Sequence, residues 1–315
     1  MRRFSPSILR PVVSMTLYRL AVAASLSALP LLVMAGCSSA ASTAAPAKAS
    51  PAKAANGTYL ALGDSLAFGY VPAEALPAPN YQSASSFVGY PEDVGQALRL
   101  GVWNASCPGE TTGSMLVAGA PSNGCRNSPD RDNYRDLYPL HVRYQGTQMQ
   151  YALSYLAVHR HTQLVTINIG SNDWFLCRNT MPDQCTGADF RDMLAKLAQN
   201  LTAIYTQIRD VARYDGPLVA LTSYSIRYKN PPGPLEVATG RIDKVIAQVT
   251  GTFGGKVADG FAAFKAGSAG SGGDACAAGL LVKLPNGTCD IHASPAGHLL
   301  LAQAIEDVVG TLPPK

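Results

Sequence analysis

A serine that attacks a carbonyl carbon needs a base to take its proton, a carboxylate to hold that base, and N–H donors for the oxyanion that forms. The sequence offers a segment for each. "YLALGDSLAFGY" (59–70) is an apolar run that stops at Gly63-Asp64-Ser65, putting Ser65 where a strand gives way to a loop. Asp and Ser also cap turns and helices without doing chemistry, and three residues alone do not separate the two readings. Of the five histidines, His141, His159 and His161 fall in or beside a helix and read as surface or packing residues, while His298 lies inside the last helix. His292, in "CDIHASPAG", is expected in a short loop just ahead of that helix, with Asp290 two residues before it. Residues two apart in an extended segment point to the same side, so Asp290 can orient the His292 ring and the proton relay reads Ser65–His292–Asp290. For the oxyanion, "NASCPGETTG" offers the N–H of Gly109, which no Cβ obstructs, and "GSND" offers the neutral amide of Asn172. The N–H of Ser65 is the third donor. The plain alternatives are a turn glycine after Pro108 and an Asx turn or helix cap at Asn172-Asp173.

Elements in the right order must bring these residues together. Thr58 to Leu62, 101–106, 163–170 and 217–223 are short apolar runs rich in β-branched residues, and 255–261 is a fifth, weaker one. Stretches of helical period separate them, at 90–100, 146–159, 188–213 and 236–253, and a final helix starts at Ser294 as N-cap with Pro295 in its first turn. Strands alternating with helices imply an α/β fold, a mainly parallel sheet covered on both faces. In such sheets ligands sit outside the carboxyl ends of the strands. Asp64-Ser65, Ser106 to Thr112 and Ser171-Asn172-Asp173 each follow a strand end, and that coincidence raises Ser65 above a chance Gly-Asp-Ser.

The ends of the chain bound its setting. Residues 1–36 carry Arg2, Arg3, Arg10 and Arg19 with no acidic residue, then an apolar run from Leu20 to Met34, the pattern of a secretory signal. "LLVMAGC" ends it and resembles a bacterial lipoprotein box, making Cys37 the expected lipidated N-terminus; Met34 stands where Leu is commoner. The chain's formal charge of +4 is the four leader arginines, leaving 4 − 4 = 0 from residue 37 onward. With no basic stripe, nucleic acid is not an expected partner. Residues 37–57 are an Ala/Ser/Pro/Lys tether, and 58–315 is one domain, expected to be a monomer. Six further cysteines suit an oxidising compartment, and their sequence-local grouping pairs Cys107 with Cys125, Cys177 with Cys185 and Cys276 with Cys289. No CxxC or other ligand spacing argues for a metal, and no phosphate-binding glycine pattern argues for a nucleotide, so no cofactor is expected.

The four segments "ALGDSLAFG", "NASCPGETT", "INIGSND" and "DIHASPAGH" resemble, in order, the main blocks of the SGNH (GDSL-type) hydrolases, spanning roughly residues 58 to 310. The resemblance implies a flavodoxin-like three-layer α/β/α sandwich, with Ser65 as nucleophile, Gly109 and Asn172 in the oxyanion hole and His292 as base. One departure stands out. The family's last block reads D-x-x-H, whereas position 289 is Cys and Asp290 stands one residue closer to the histidine. The expected activity is hydrolysis of a carboxylic ester through an acyl-enzyme, by an exported lipoprotein or secreted protein. Its substrate would be a small-molecule or lipid ester, or an acylated carbohydrate. A deacetylase or acyltransferase would use the same residues, and a non-catalytic envelope protein would not need them intact. Residues 71–89 and 113–145 are expected to frame the substrate pockets, with Tyr81, Phe87, Tyr134, Tyr138 and Trp174 as wall residues.

Overall fold

The computed structural model describes residues 57–310; residues 1–56, with the leader, Cys37 and nearly all of the tether, lie outside them, as do residues 311–315. The chain runs β1 (Thr58–Gly63), α1 (Ser65–Phe68), α2 (Tyr90–Leu98), β2 (Gly101–Asn104), α3 (Thr112–Leu116), α4 (Tyr134–Leu137) and α5 (Gln148–Val158). It continues through β3 (Thr162–Asn168), α6 (Ser171–Thr180), α7 (Ala188–Thr206), β4 (Leu218–Leu221), α8 (Pro234–Thr252) and β5 (Lys256–Ala258). Then follow α9 (Gly260–Ser268), β6 (Leu281–Lys283), β7 (Cys289–Ala293) and α10 (Pro295–Val309).

The first five strands form one parallel sheet in the order β2-β1-β3-β4-β5. All seven residues of β3 are buried, as a strand covered on both faces requires. On one face Leu60, Leu62, Val165 and Ile167 pack beneath α5, α7 and α8; on the other Tyr59, Ala61, Leu164 and Val219 meet α2, α9 and α10. This is the three-layer α/β/α architecture. Strand order reverses direction between β1 and β3, and a crevice opens beyond the carboxyl ends of strands at such a switch point. Ser65 follows β1 and Asn172 follows β3, one on each side of it.

Side chains too weak in pattern to announce an element account for the differences from expectation. His292 lies in β7, not in a loop: "CDIHA" pairs antiparallel with β6 in a small hairpin apart from the main sheet. Its alternation of polar and apolar residues is too short to read as a strand without its three-residue partner. α6, "SNDWFLCRNT", lacks an apolar stripe and is visible only as a folded helix. The α7 segment ends early, passing into a π-turn at Gln207–Val211, with Arg213 at positive φ closing it. All three expected disulfides form: Cys107–Cys125, Cys177–Cys185 and Cys276–Cys289. Among the described residues no helix is long and apolar enough to cross a membrane.

Candidate active site

The turn at Ser65 is built by backbone constraint. Gly63 has φ +146°, and a Cβ there would stand 2.3 Å from the Asn168 carbonyl oxygen, so only glycine lets β1 and β3 end this close. The side chain of Gln148, buried at the start of α5, grips the same glycine twice, accepting from its N–H at 2.6 Å and donating to its C=O at 3.0 Å. The N–H of Asp64 then donates to the Asn168 carbonyl, and the Asp64 carboxylate accepts from the Leu66 N–H, capping α1. Ser65 is thereby the first residue of a helix, and its own N–H has no helical acceptor.

His292 arrives from β7, 227 residues away. Its Nε2 lies 3.0 Å from Ser65 Oγ, and its Nδ1 lies 2.5 Å from Asp290 Oδ1. The His292 backbone N–H donates to that same carboxylate oxygen at 3.0 Å, so Asp290 folds back on its own strand. Burial pushes the Asp290 carboxyl up, but the hydrogen bond and charge of the His292 ring, with the backbone N–H groups of His292 and Ile291, outweigh it and hold the carboxyl below its usual range. It is the anion that an imidazolium would need. Phenolic packing completes the setting, with Tyr70 against the imidazole at 4.8 Å between ring centroids.

None of the other histidines reaches Ser65. His298 is buried in α10 with neither ring nitrogen hydrogen-bonded among the described residues, and burial, with the charge of His292, drives its pKa down to about 3. His141 binds the Phe68 carbonyl, and His159 stacks on Tyr155 at the end of α5. Among the described residues, Cys107, Glu110 and Cys125 form the one cluster of three potential metal ligands, and its two sulfurs are bonded to each other.

Asn172 and Gly109 come to the same cavity as Ser65. Asn172 donates one amide hydrogen to Asp64 Oδ2 at 3.0 Å and accepts from the Asn123 side-chain amide at 2.8 Å, which fixes its orientation and leaves its second N–H uncommitted. Gly109 has φ +81°, and a Cβ there would meet the Asn123 carbonyl oxygen at 2.5 Å. Asn123 thus ties the two together: its N–H donates to the Gly109 carbonyl at 2.8 Å while its side chain orients Asn172. The Cys107–Cys125 disulfide closes this loop two residues from each. Sequence reasoning missed Asn123, because nothing in "PSNGC" marks it apart from an ordinary turn. Asp173, next along α6, accepts from Thr112 N at 2.9 Å and so pins α6 to α3.

The cleft has a volume of about 950 Å³ and includes Tyr81, Tyr134, Tyr138 and Trp174 among its walls. Phe87 is not one of them. It is buried at 1% exposure, parallel to Tyr70 and edge-on to Tyr81, because the apolar phenyl ring fills the layer under the phenols.

The GDSL-like lipase/acylhydrolase family model matches residues 61–300, which contain every one of these groups. The chain belongs to that family. Among solved structures, this family member is similar to an acetylxylan esterase from Geobacillus stearothermophilus, at 19% identity over 81% of this chain and 95% of that one, with a TM-score of 0.50. It is also similar to an α/β hydrolase enzyme from the metagenome of Lake Arreo, Spain, at 17% identity over 83% and 98% of the two chains, TM-score 0.52. At such identities the likeness speaks for a shared fold. No curated protein matches the sequence.

Two consequences are measurable at this family site. The Cys276–Cys289 bridge closes 13 residues and fastens the start of β7 one residue ahead of Asp290. Replacing both cysteines by serine is expected to cost about 2–3 kcal/mol in urea unfolding, as loops of this size do, and to lower kcat because the strand carrying Asp290 and His292 loses its anchor. Unchanged kcat in the folded variant would remove the positioning role.

The second concerns Asp243 on α8, which accepts from the N–H of the cleft residue Ser223 through Oδ1 and has no partner for Oδ2 among the described residues. Burial, with a smaller push from Asp259, raises its pKa to about 8, against about 4 in an unfolded chain. The folded state therefore holds the extra proton. The stability this confers is full below pH 4 and is lost as pH rises through 8, at a slope approaching 1.4 kcal/mol per pH unit. Glu110, raised to about 7 by burial, is half titrated at pH 7 and adds a smaller fall of its own up to pH 8, which Asp243→Asn leaves in place. Asp243→Asn keeps the acceptor for Ser223 and is expected to flatten the fall in urea stability between pH 7 and 8; an unaltered slope would refute the assignment.

Proposed function

We propose that the protein is a serine carboxylic-ester hydrolase with Ser65 as nucleophile, His292 as base and Asp290 as its orienting carboxylate. The observation that carries this reading is the continuous chain of hydrogen bonds Asp290–His292–Ser65 at the mouth of a cleft that also holds Gly109 and Asn172. His292 Nε2 takes the Ser65 proton as Oγ bonds to the ester carbonyl carbon. The oxyanion is received by the N–H groups of Ser65 and Gly109 and by the free amide N–H of Asn172. His292 then gives that proton to the alkoxide, the carbon–oxygen bond breaks, and the alcohol leaves. A water loses its proton to His292 and attacks the acyl-enzyme, and collapse of the second tetrahedral intermediate returns the proton to Ser65 Oγ and frees the carboxylic acid. Asp290 stays ionised throughout, holding the Nδ1 tautomer.

The departure from D-x-x-H fits this geometry. In β7 residues 290 and 292 share a face, so a carboxylate two residues before the histidine reaches Nδ1 directly. An acyltransferase would use the same steps with an alcohol replacing water, and a carbohydrate deacetylase would differ in the cleft. The three disulfides support an exported setting, consistent with residues 1–36 as a lipoprotein-type signal, Cys37 as the lipidated residue anchoring it to the membrane, and 37–57 as the tether.

The test is labelling. Residues 38–315, produced with disulfides formed, should turn over p-nitrophenyl butyrate and be inactivated by a fluorophosphonate with one adduct, on Ser65 by peptide mapping. Turnover without an adduct at Ser65, or no turnover of acetate, butyrate or octanoate esters, would overturn the reading. Adding an alcohol acceptor and analysing products separates hydrolysis from transfer.

A further inference from the structure

The cleft has two ends of different chemistry, and the strand order says where each lies. Tyr70, which follows β1, packs ring to ring with Tyr81 and Tyr134, and Tyr138 joins them, to wall one part of the cleft; Ile226, which follows β4, and Leu235 and Ile242 of α8 wall another. Ser65 opens onto the same cleft. At about 950 Å³ the space is near the upper end of the roughly 300–1,000 Å³ found for drug-sized ligands, far more than an acetyl group on a small alcohol occupies.

The phenolic end is under-bonded. The one proton of the Tyr81 hydroxyl is shared between the Tyr70 hydroxyl at 3.0 Å and the Val71 carbonyl at 2.8 Å, so this pair is under-supplied with donors and the Tyr70 hydroxyl keeps its own proton to give. Tyr134 is 6% exposed, lines the cleft, and its hydroxyl has no hydrogen-bond partner among the described residues. A buried polar group without a partner is costly, and a ligand hydroxyl in this end would supply one. The side chains of Ile226, Leu235 and Ile242 offer aliphatic surface, which favours methylenes, while Arg178 lies over the Trp174 ring elsewhere on the wall.

The reaction says which half of the ester takes which end. The leaving oxygen must receive its proton from His292 Nε2, so the alcohol lies against His292, and the ring packed on His292 is Tyr70. We infer that the substrate is an ester joining a medium-length aliphatic acyl chain, bound at the Ile226–Leu235–Ile242 end, to a polyhydroxylated ring alcohol, bound among the tyrosines. This rests on the esterase reading above and adds the substrate class to it.

The experiment is a matrix of substrates and variants. Wild type is expected to gain about fourfold in kcat/KM per added methylene from acetate toward octanoate p-nitrophenyl esters, until the chain fills its end. Leu235→Trp, at the half-buried start of α8, should lower the octanoate-to-acetate ratio about tenfold or more. Tyr138→Ala should leave that ratio in place but reduce the preference for glucose 6-octanoate over ethyl octanoate. Acetate turned over as well as octanoate, or Leu235→Trp lowering both esters equally, overturns the acyl assignment while leaving the esterase reading intact. A chain-length ratio that responds to Tyr138→Ala means the two ends are reversed and also overturns it. Equal wild-type rates on the glucose and ethyl esters overturn the alcohol class. Absence of all turnover and of fluorophosphonate labelling brings down the esterase reading itself, and this inference with it.

Discussion

Ser65→Ala is expected to lower kcat for p-nitrophenyl butyrate by about 10⁵–10⁶-fold, the scale found when the nucleophile of a serine triad is removed. His292→Ala should cost nearly as much, and the double variant little more than either. The reason is that the two act as one unit: a Ser65 hydroxyl without the nitrogen 3.0 Å away keeps its proton, and the imidazole without the hydroxyl has nothing to activate. Asp290→Ala should cost less, because the ring would still be held by Tyr70 packing and the strand itself, as carboxylate removal does in other triads. Steady-state kinetics on the four proteins, with far-UV circular dichroism to check folding, decide this. Fully multiplicative effects of Ser65→Ala and His292→Ala would mean that the hydrogen bond between them does not operate in turnover.

Asn172→Ala should lower kcat by about 10²–10³-fold with KM little changed, since a donor aimed at the oxyanion strengthens mainly in the transition state. Asn172 is buried and its amide is fixed from both sides, by Asp64 and Asn123. That arrangement makes a further expectation. Asn123→Ala keeps the backbone bond to Gly109 but releases the Asn172 amide, so it should lower kcat in the wild-type background and have little further effect beside Asn172→Ala. A double-mutant cycle reads the difference. Equal costs of Asn123→Ala in both backgrounds would show that Asn123 acts by packing alone, and a change confined to KM at Asn172 would remove it from the oxyanion site.

The link between these groups passes through Asp64. Burial lifts its carboxyl to about 6, against which the Leu66 N–H, the charge of His292 and the Asn172 amide pull downward. Above that pH it is the charged acceptor that orients Asn172, and in the same place it caps the helix that begins with Ser65. One residue of the Gly-Asp-Ser turn therefore caps the helix and holds Asn172 at once. A capping role for Asp64 is thus compatible with the proposed role of Ser65 as nucleophile.

What the sequence determined by itself was the local and periodic part. The apolar runs at 58–62 and 163–170 announce strands because a strand buried on both faces is mostly apolar, and all seven residues of β3 are buried. Pro295 after Ser294 announces α10 because a helix start tolerates proline and wants a hydroxyl cap. The six cysteines paired as their spacing suggested, since short loops close readily. Ser65 and Asn172 stood out by residue type and by their place after strand ends, and His292 by Asp290 two residues before it and the capped helix after it, although it lies in a strand and not in the expected loop.

Only the tertiary structure decided which of these meet. The order β2-β1-β3-β4-β5 sets β1 beside β3, and that adjacency, not proximity in the chain, puts Asn172 against Asp64. His292 owes its aim to a hairpin with β6 that no periodicity in "CDIHA" reveals, because a strand this short is held by its partner and its disulfide. Asn123 and Gln148 were invisible for the same reason: their function is a hydrogen bond to a residue tens of positions away. Residue type records what a side chain can do, while the distance over which it does it is a property of packing.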